Sequence, residues 1–295
     1  MKFRYSFIVI GILRLLSLFS LVHLRVAASR LGPMLLGKNK RTTEAIEINL
    51  QLCLPELTED EREIFKKKRL TRMCQTLFEM SHIWIKPVEQ IRSYLVATYD
   101  NSLFESAVDS ENGIIVLAPH IGNWEMMTVY LSQFRTLTAM YRPLKEPGLN
   151  RFIRAARERF NSVLVPTNSK GVRQIIRVLK SQGMVGFLPD QVPEKNVGGV
   201  FAPLFGHQAY TMTLAHKLAL KTKSKVFIGT AYQVKKGFAV RMIPIDSSFY
   251  SQNPLKAAIC LNEAIEKAIL YQPIQNQWEY KRYRLQPEGN KSLYK

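Results

Sequence analysis

The sequence predicts an α/β fold: a mixed central sheet flanked by helices, with an α-rich N-terminal third that carries a membrane-anchoring helix. Three observations predict it. From Gly113 onward, short apolar runs bounded by Gly or Pro alternate with stretches of helical period, the pattern of buried strands covered by helices. Upstream, from Thr43 to about residue 98, the apolar positions recur at helical spacing. Near the N-terminus, Tyr5–Leu24 is predominantly apolar.

In chain order, Tyr5–Leu24 (YSFIVIGILRLLSLFSLVHL) comes first. A span needs roughly 20 apolar residues. Arg14 and His23 interrupt this one, and an Arg at the bilayer centre costs about 2.5–3.5 kcal/mol on insertion scales. No small-residue cleavage pattern follows. Arg14 and Arg25 stand eleven apart, nearly on one side of a continuous helix. A spanning anchor and an in-plane amphipathic helix both fit. Residues 1–37, leading into the polar, basic GKNKRT junction at 37–42, form a membrane-facing segment. Nothing rich in Pro or Gly divides residues 38–295, which read as a single domain.

In EAIEINLQLCLPEL the positions Ile46, Leu50 and Cys53 share a helix face, and Pro55 ends the run. Thr58 and Glu61 form a capping-box pair opening a helix through Lys66–Arg69, and more helix covers about 70–98. Ile114–Ala118 is a continuous apolar strand. WEMMTVYLSQF is helical, LTAMY a strand, Leu149–Phe160 a helix and SVLVP a strand. VRQIIRVLKSQG is a helix that Gly183 closes, and MVGFLP, KVFIGTAYQV and FAVRMIPI are strands before a helix over Ile259–Leu270.

The chain has 42 Lys+Arg against 23 Asp+Glu, a net charge of +19, which attracts polyanions: nucleic acid, anionic lipid, phosphorylated substrates or an acidic protein. Cys53, Cys74 and Cys260 form no CxxC pair, so neither a zinc site nor a disulfide framework is indicated. There is no P-loop and no GxGxxG. No metal and no cofactor is expected.

The chemistry concentrates in Pro119-His120-Ile121-Gly122-Asn123-Trp124-Glu125. A buried strand ends and a His appears at its carboxyl edge. Gly122 permits a tight bend, Asn123 is placed to N-cap the next helix, and Glu125 falls in its first turn, where the helix dipole favours a carboxylate. On a continuous helix His120 and Glu125 point about 140° apart; a bend at Gly122 can bring them together. A carboxylate on one imidazole nitrogen leaves the other as a base, and a substrate hydroxyl then serves as nucleophile. Asp190, at the end of another buried strand, can orient an arginine or the histidine. His23, His82, His207 and His216 have no comparable setting and are assigned to structure. Between Arg142 and Lys180 stand ten Lys/Arg and two acids, Glu146 and Glu158. On a wheel for Leu149–Phe160, Leu149, Phe152, Ile153, Ala156 and Phe160 share one side. Arg151 and Arg154 lie opposite it, while Arg157 and Arg159 lie on its borders, placed for oriented contacts.

The APHIGNWE stretch, an H-x4-E motif, resembles the hallmark of the lysophospholipid acyltransferase superfamily, and within it the lipid A late acyltransferases, the lauroyl/myristoyl transferases of Gram-negative bacteria. Ordered blocks along the chain carry the resemblance: Ile48-Asn49-Leu50 through Cys53-Leu54-Pro55-Glu56-Leu57, Tyr141-Arg142-Pro143-Leu144, Arg157-Glu158-Arg159-Phe160, Pro189-Asp190-Gln191 and Gly199–Gly206. Val192 stands where the family often has a second acid, and Gln277-Trp278 and Arg282 match its carboxyl end loosely. The resemblance implies an acyl-carrier-protein thioester donor, a glycolipid hydroxyl as acceptor, and a bacterial inner-membrane enzyme whose catalytic domain faces the cytoplasm. It makes His120 the general base with Glu125 its partner. Arg157, Arg159 and Asp190 join them at the catalytic centre; Asn123, Arg142, Gln191, Lys170 and Arg173 serve substrate binding. Another lipid acceptor (a glycerophosphate, a mannosylated or an ornithine lipid) would use the same chemistry. A nucleic-acid-binding protein would explain the charge, but no RNP, KH or helix-turn-helix pattern accompanies it; a non-catalytic membrane-surface protein is disfavoured by the intact His120/Glu125 pair.

Overall fold

A computed structural model describes residues 2–193, 198–289 and 291–294, with side chains from Ser6 onward. The apolar N-terminus forms two helices, α1 (Lys2–Ser17) and α2 (Leu21–Leu36), bent from one another by 119°. Ser20 causes the break: it sits in extended conformation and its hydroxyl accepts a bond from the His23 amide, opening α2 afresh. Among the described residues no single helix is long and apolar enough to cross a membrane. Arg14 and Arg25 therefore do not share a helix. Arg14 is exposed on α1, whereas Arg25 is buried beneath α2.

α3 (Lys40–Cys53) buries Ile46, Leu50 and Cys53 as their spacing requires. The Thr58–Glu61 capping box forms and opens α4, which runs unbroken over Glu59–Ile85. α2 lies along α4, burying Leu21, Leu24, Ala28 and Gly32. At Gly32 the backbones approach so closely that an added Cβ would stand 2.9 Å from the Leu70 carbonyl oxygen. Pro87 stops α4, and after the short α5 (Val88–Arg92) the expected helix gives way to strand β1 (Leu95–Tyr99). The sequence LVATY suits a strand, and its partner comes from far along the chain.

After α6 (Ser102–Val108), the alternation proceeds through β2 (Ile114–Leu117), α7 (Glu125–Leu131), β3 (Leu137–Tyr141), α8 (Pro147–Glu158), β4 (Ser162–Pro166), α9 (Ser169–Lys180) and β5 (Met184–Phe187). A hairpin follows, β6 (Gly199–Leu204) and β7 (His207–Met212), whose turn residues Phe205 and Gly206 both have positive φ. Then come α10 (Leu214–Thr222), β8 (Lys225–Val234), β9 (Gly237–Pro244) and α11 (Pro254–Tyr271). Gly183 does not take the left-handed cap position expected of it. Gln182 does, at φ 60°, and the Gly183 amide returns to the Val178 carbonyl.

Among the described residues seven strands form one sheet in the order β1-β9-β8-β2-β5-β3-β4. All neighbours are parallel except β8 and β9, so the sheet is mixed. Ile115, Leu117, Val185 and Phe187 face one core with α9, α10 and α11; Ile114, Val116 and Met184 face the other with α7 and the end of α4. The helices that follow β2 and β3 cover the second face, while those that precede β5 and lead into β8 cover the first. At the carboxyl edge the chain thus parts to opposite sides around β5, leaving a crevice of the kind in which α/β proteins bind ligands.

Gly32→Val should push α2 off α4. Overpacking of this kind costs about 1–3 kcal/mol, read as a lower urea midpoint at unchanged slope; an unaltered midpoint would show that the two helices do not meet at this glycine.

Candidate active site

Between β2 and α7 the chain makes a turn that only the sequence around Gly122 allows. Gly122 has φ +65°, and a Cβ there would lie 2.2 Å from the Ala231 carbonyl oxygen. The Gly122 amide donates to the Gln275 carbonyl and the Asn123 amide to the Ala231 carbonyl, both at 2.9 Å. The turn is thereby stitched to β8 and to the segment after α11.

His120 heads this turn. Its backbone amide donates to Asp190 Oδ2 at 2.9 Å, and its ring Nδ1 lies 2.9 Å from Asp190 Oδ1. Asp190 comes from the strand next to β2, three residues past the end of β5. Burial works to raise the Asp190 pKa, but the attraction of the His120 ring and its hydrogen bonds outweigh it and hold the carboxyl below the ordinary range. A carboxylate only accepts, so Nδ1 carries the proton and Nε2 the lone pair. Nε2 faces the Gln191 amide nitrogen at 3.4 Å, and Gln191 also reaches Gln277 Oε1 at 3.3 Å. The Trp124 ring packs edge-on against the imidazole, with centroids 4.7 Å apart.

Glu125 is not the orienting partner of His120. Arg157 Nε reaches both its oxygens at 3.1 Å, Arg157 Nη2 closes a second arm, and Trp84 Nε1 stands 3.4 Å away. Glu125 belongs to α7, one element beyond the bend, and points to α8 instead of back to the strand end. Burial lowers the Arg157 pKa, but the Glu125 carboxylate overcomes this and raises it. The guanidinium also lies 5.5 Å above the Tyr141 ring.

Asn123 does not cap α7 through its side chain. Its Nδ2 donates to Glu79 Oε2 at 2.9 Å, and Glu79 in turn accepts from Arg25 Nε at 2.6 Å. All three residues are buried, Glu79 and Asn123 completely. Arg25 spends its other nitrogens on the Val234 and Gly237 carbonyls at the β8–β9 turn. Arg159 stays outside the centre: it donates to the Ile83 carbonyl at 2.5 Å and ties the end of α8 to α4. Arg151 and Arg154 are exposed, as the wheel requires. Lys170 and Arg173 are exposed on α9, and His82, His207 and His216 bond backbone carbonyls of Phe19, Leu52 and Ser251.

A cavity of about 570 Å³ opens beside this centre. Trp124, Glu125, Arg142, Arg157 and Asn168 stand around its polar part, and Val116, Leu131, Leu137, Ala139, Leu164 and Gly186 line its apolar depth along the sheet. Glu125, Arg157 and Arg142 thus line the cavity, and His120, bonded to Asp190 and facing Gln191, adjoins it through Trp124. Sequence reasoning missed Glu79, Trp84 and Arg25 as supports, since nothing in their local patterns marks them. A hydrogen-bonded imidazole–carboxylate pair beside a deep apolar cavity can deprotonate a hydroxyl next to a bound hydrocarbon chain.

The chain is 26% identical over 271 residues, 90% of its length and 86% of the relative's, to the lipid A biosynthesis palmitoleoyltransferase of Escherichia coli. It is 26% identical to the lauroyltransferase of the same organism over 267 residues, 90% and 86% of the two chains. To the E. coli myristoyltransferase it is 25% identical over 268 residues, 88% and 80% of the two. The model of the bacterial lipid A biosynthesis acyltransferases matches residues 2–285, and the chain belongs to that family of enzymes.

Proposed function

We propose that this acyltransferase moves a fatty acyl chain from an acyl-carrier-protein thioester to a hydroxyl of a lipid A precursor, with His120 as general base. The observation that carries the reading is the His120–Asp190 pair, whose imidazole packs against Trp124, a residue of the apolar cavity's lining. The Nδ1 proton is committed to Asp190, so Nε2 is the basic nitrogen. An acceptor hydroxyl takes the place of the Gln191 amide there. Nε2 removes its proton as the oxygen attacks the thioester carbonyl, and the oxyanion that forms collapses by expelling the thiolate. The thiolate recovers the proton from the imidazolium, restoring the base. Asp190 stabilises the imidazolium between the two transfers. No cofactor beyond the carrier-bound donor is needed.

Arg157, fixed by Glu125, presents the opposite edge of its guanidinium to the cavity. With Arg142 it supplies the positive charge that an acceptor phosphate or the developing oxyanion requires. On α9 Lys170, Arg173, Arg177 and Lys180 form an exposed stripe that starts at the cavity lining residues Asn168 and Ser169; an acidic carrier protein fits this surface. Residues 1–37 serve as the membrane-facing segment built onto the single acyltransferase body of residues 38–295. Phe7, Ile8, Ile12 and Leu15 on α1 and Val22 and Val26 on α2 are exposed apolar side chains, and a bilayer covers them at the bacterial inner membrane, the catalytic face turned to the cytoplasm.

His120→Ala should lower single-turnover acyl transfer by about 10²–10⁴-fold, and Asp190→Asn should approach the same loss, because a neutral amide no longer favours imidazolium. Circular dichroism and unfolding midpoints establish equal folded content. Near wild-type turnover in folded His120→Ala would falsify the mechanism, and a full rate in Asp190→Asn would return the orienting role to another group.

Replacing Phe7, Ile8, Ile12 and Leu15 together by Ser should abolish flotation with anionic vesicles while the unfolding midpoint stays put, since these side chains are exposed in the fold. Unchanged flotation would place the membrane contact elsewhere. Deleting residues 1–37 is the poorer probe, because it also removes the buried Arg25.

A further inference from the structure

We infer that Gly186 determines how long an acyl chain the enzyme accepts; the inference rests on reading the cavity as the acyl-donor site. Val116, Gly186 and Ala139 are register partners across β2, β5 and β3, and all three line the cavity. They make a cross-strand row on its sheet wall, and the middle of that row has no side chain. Gly186 does not have a positive φ and opposes neither backbone nor a turn. The strand itself does not require glycine there, and glycine inside a strand weakens it. What its absent side chain provides is room.

The wall continues past this row for one strand repeat, about 6.6 Å at the rise of a parallel strand. There Leu137 and Ser162, register partners on β3 and β4, line the cavity, and Met184, completely buried in β5, backs them. A Cβ on Gly186 would stand 3.3 Å from Leu137 Cδ1, so a branched side chain would fill the passage between the mouth and this end. Chains whose terminal methylenes lie beyond the row would then be refused, and shorter ones kept. Leu137 bounds the same end from the other side: shortening it deepens the cavity.

The test uses the full-length protein with a series of straight-chain acyl-carrier-protein thioesters from decanoyl to palmitoyl, each assayed for kcat/KM, beside Gly186→Ala, Gly186→Val and Leu137→Ala. Methylenes in an apolar pocket discriminate by about 10–200-fold each. Gly186→Val should therefore lose at least about tenfold on the longest donor the wild type prefers while retaining a shorter one. Gly186→Ala should move the same way by less, and Leu137→Ala should move the preference to longer donors. Unfolding midpoints accompany each variant, and the alanine variants carry the test if valine fails to fold. Identical chain-length profiles, or an equal loss on every donor, would overturn the inference while leaving the acyl-transfer reading intact. A wild type that transfers none of these chains overturns that reading, and the inference with it.

Discussion

Glu79 is a carboxylate with no access to solvent, and a buried carboxylate persists only with its oxygens occupied. One oxygen takes Arg25 from α2 and the other takes Asn123 from the turn between β2 and α7. Arg25 in turn holds the two carbonyls of the β8–β9 corner. Three parts of the molecule with separate duties therefore share one buried charge pair: the helix whose outer surface is apolar, the long helix that braces the sheet edge, and the turn that presents His120. Arg25, just past the apolar Tyr5–Leu24 stretch, is thus the group that ties α2 to the body of the protein.

The same constraint explains what could be read from the sequence. Local physics fixed the α/β alternation, the capping box, the buried strand Ile114–Leu117 and the tight bend at Gly122, because each depends on neighbours a few positions away. β1 was misread as helix because a strand at the sheet edge draws its identity from β9, well over a hundred residues on. The β6–β7 hairpin matched a family block without being recognised as strands. At the centre, His120 and Gly122 were legible from their place at a strand end. The orienting carboxylate was sought in Glu125, five residues away, whereas Asp190 supplies it from the adjacent strand. The two options open for Asp190, an arginine or the histidine, resolve only when strand order is known. Lying next to β2, β5 brings its own carboxyl-end residue to the imidazole.

Glu125, expected beside His120, is paired with Arg157 instead. Its bond to Arg157 changes what the spacing of His120 and Glu125 around one turn accomplishes. The bend at Gly122 does not fold Glu125 back; it separates two charged devices. One is the hydrogen-bonded His120–Asp190 pair. The other is the Glu125–Arg157 pair, which fixes a cation at the cavity, braced by Trp84 and the Tyr141 ring. A lone arginine there would be mobile and costly to bury; the bidentate carboxylate makes its orientation definite.

The wider charge pattern follows from this division of labour. A net charge of +19 would be indiscriminate if spread evenly, yet the cavity is lined mainly by apolar side chains, with Arg142 and Arg157 on its wall. A hydrocarbon chain gains from leaving water only against the apolar lining, and an anionic group gains only beside the arginines. A ligand carrying both therefore finds both kinds of partner in one cavity. The crevice between β2, β5 and β3 makes this possible, since it is the place where helices diverge to opposite faces and an open channel reaches the sheet without breaking a strand.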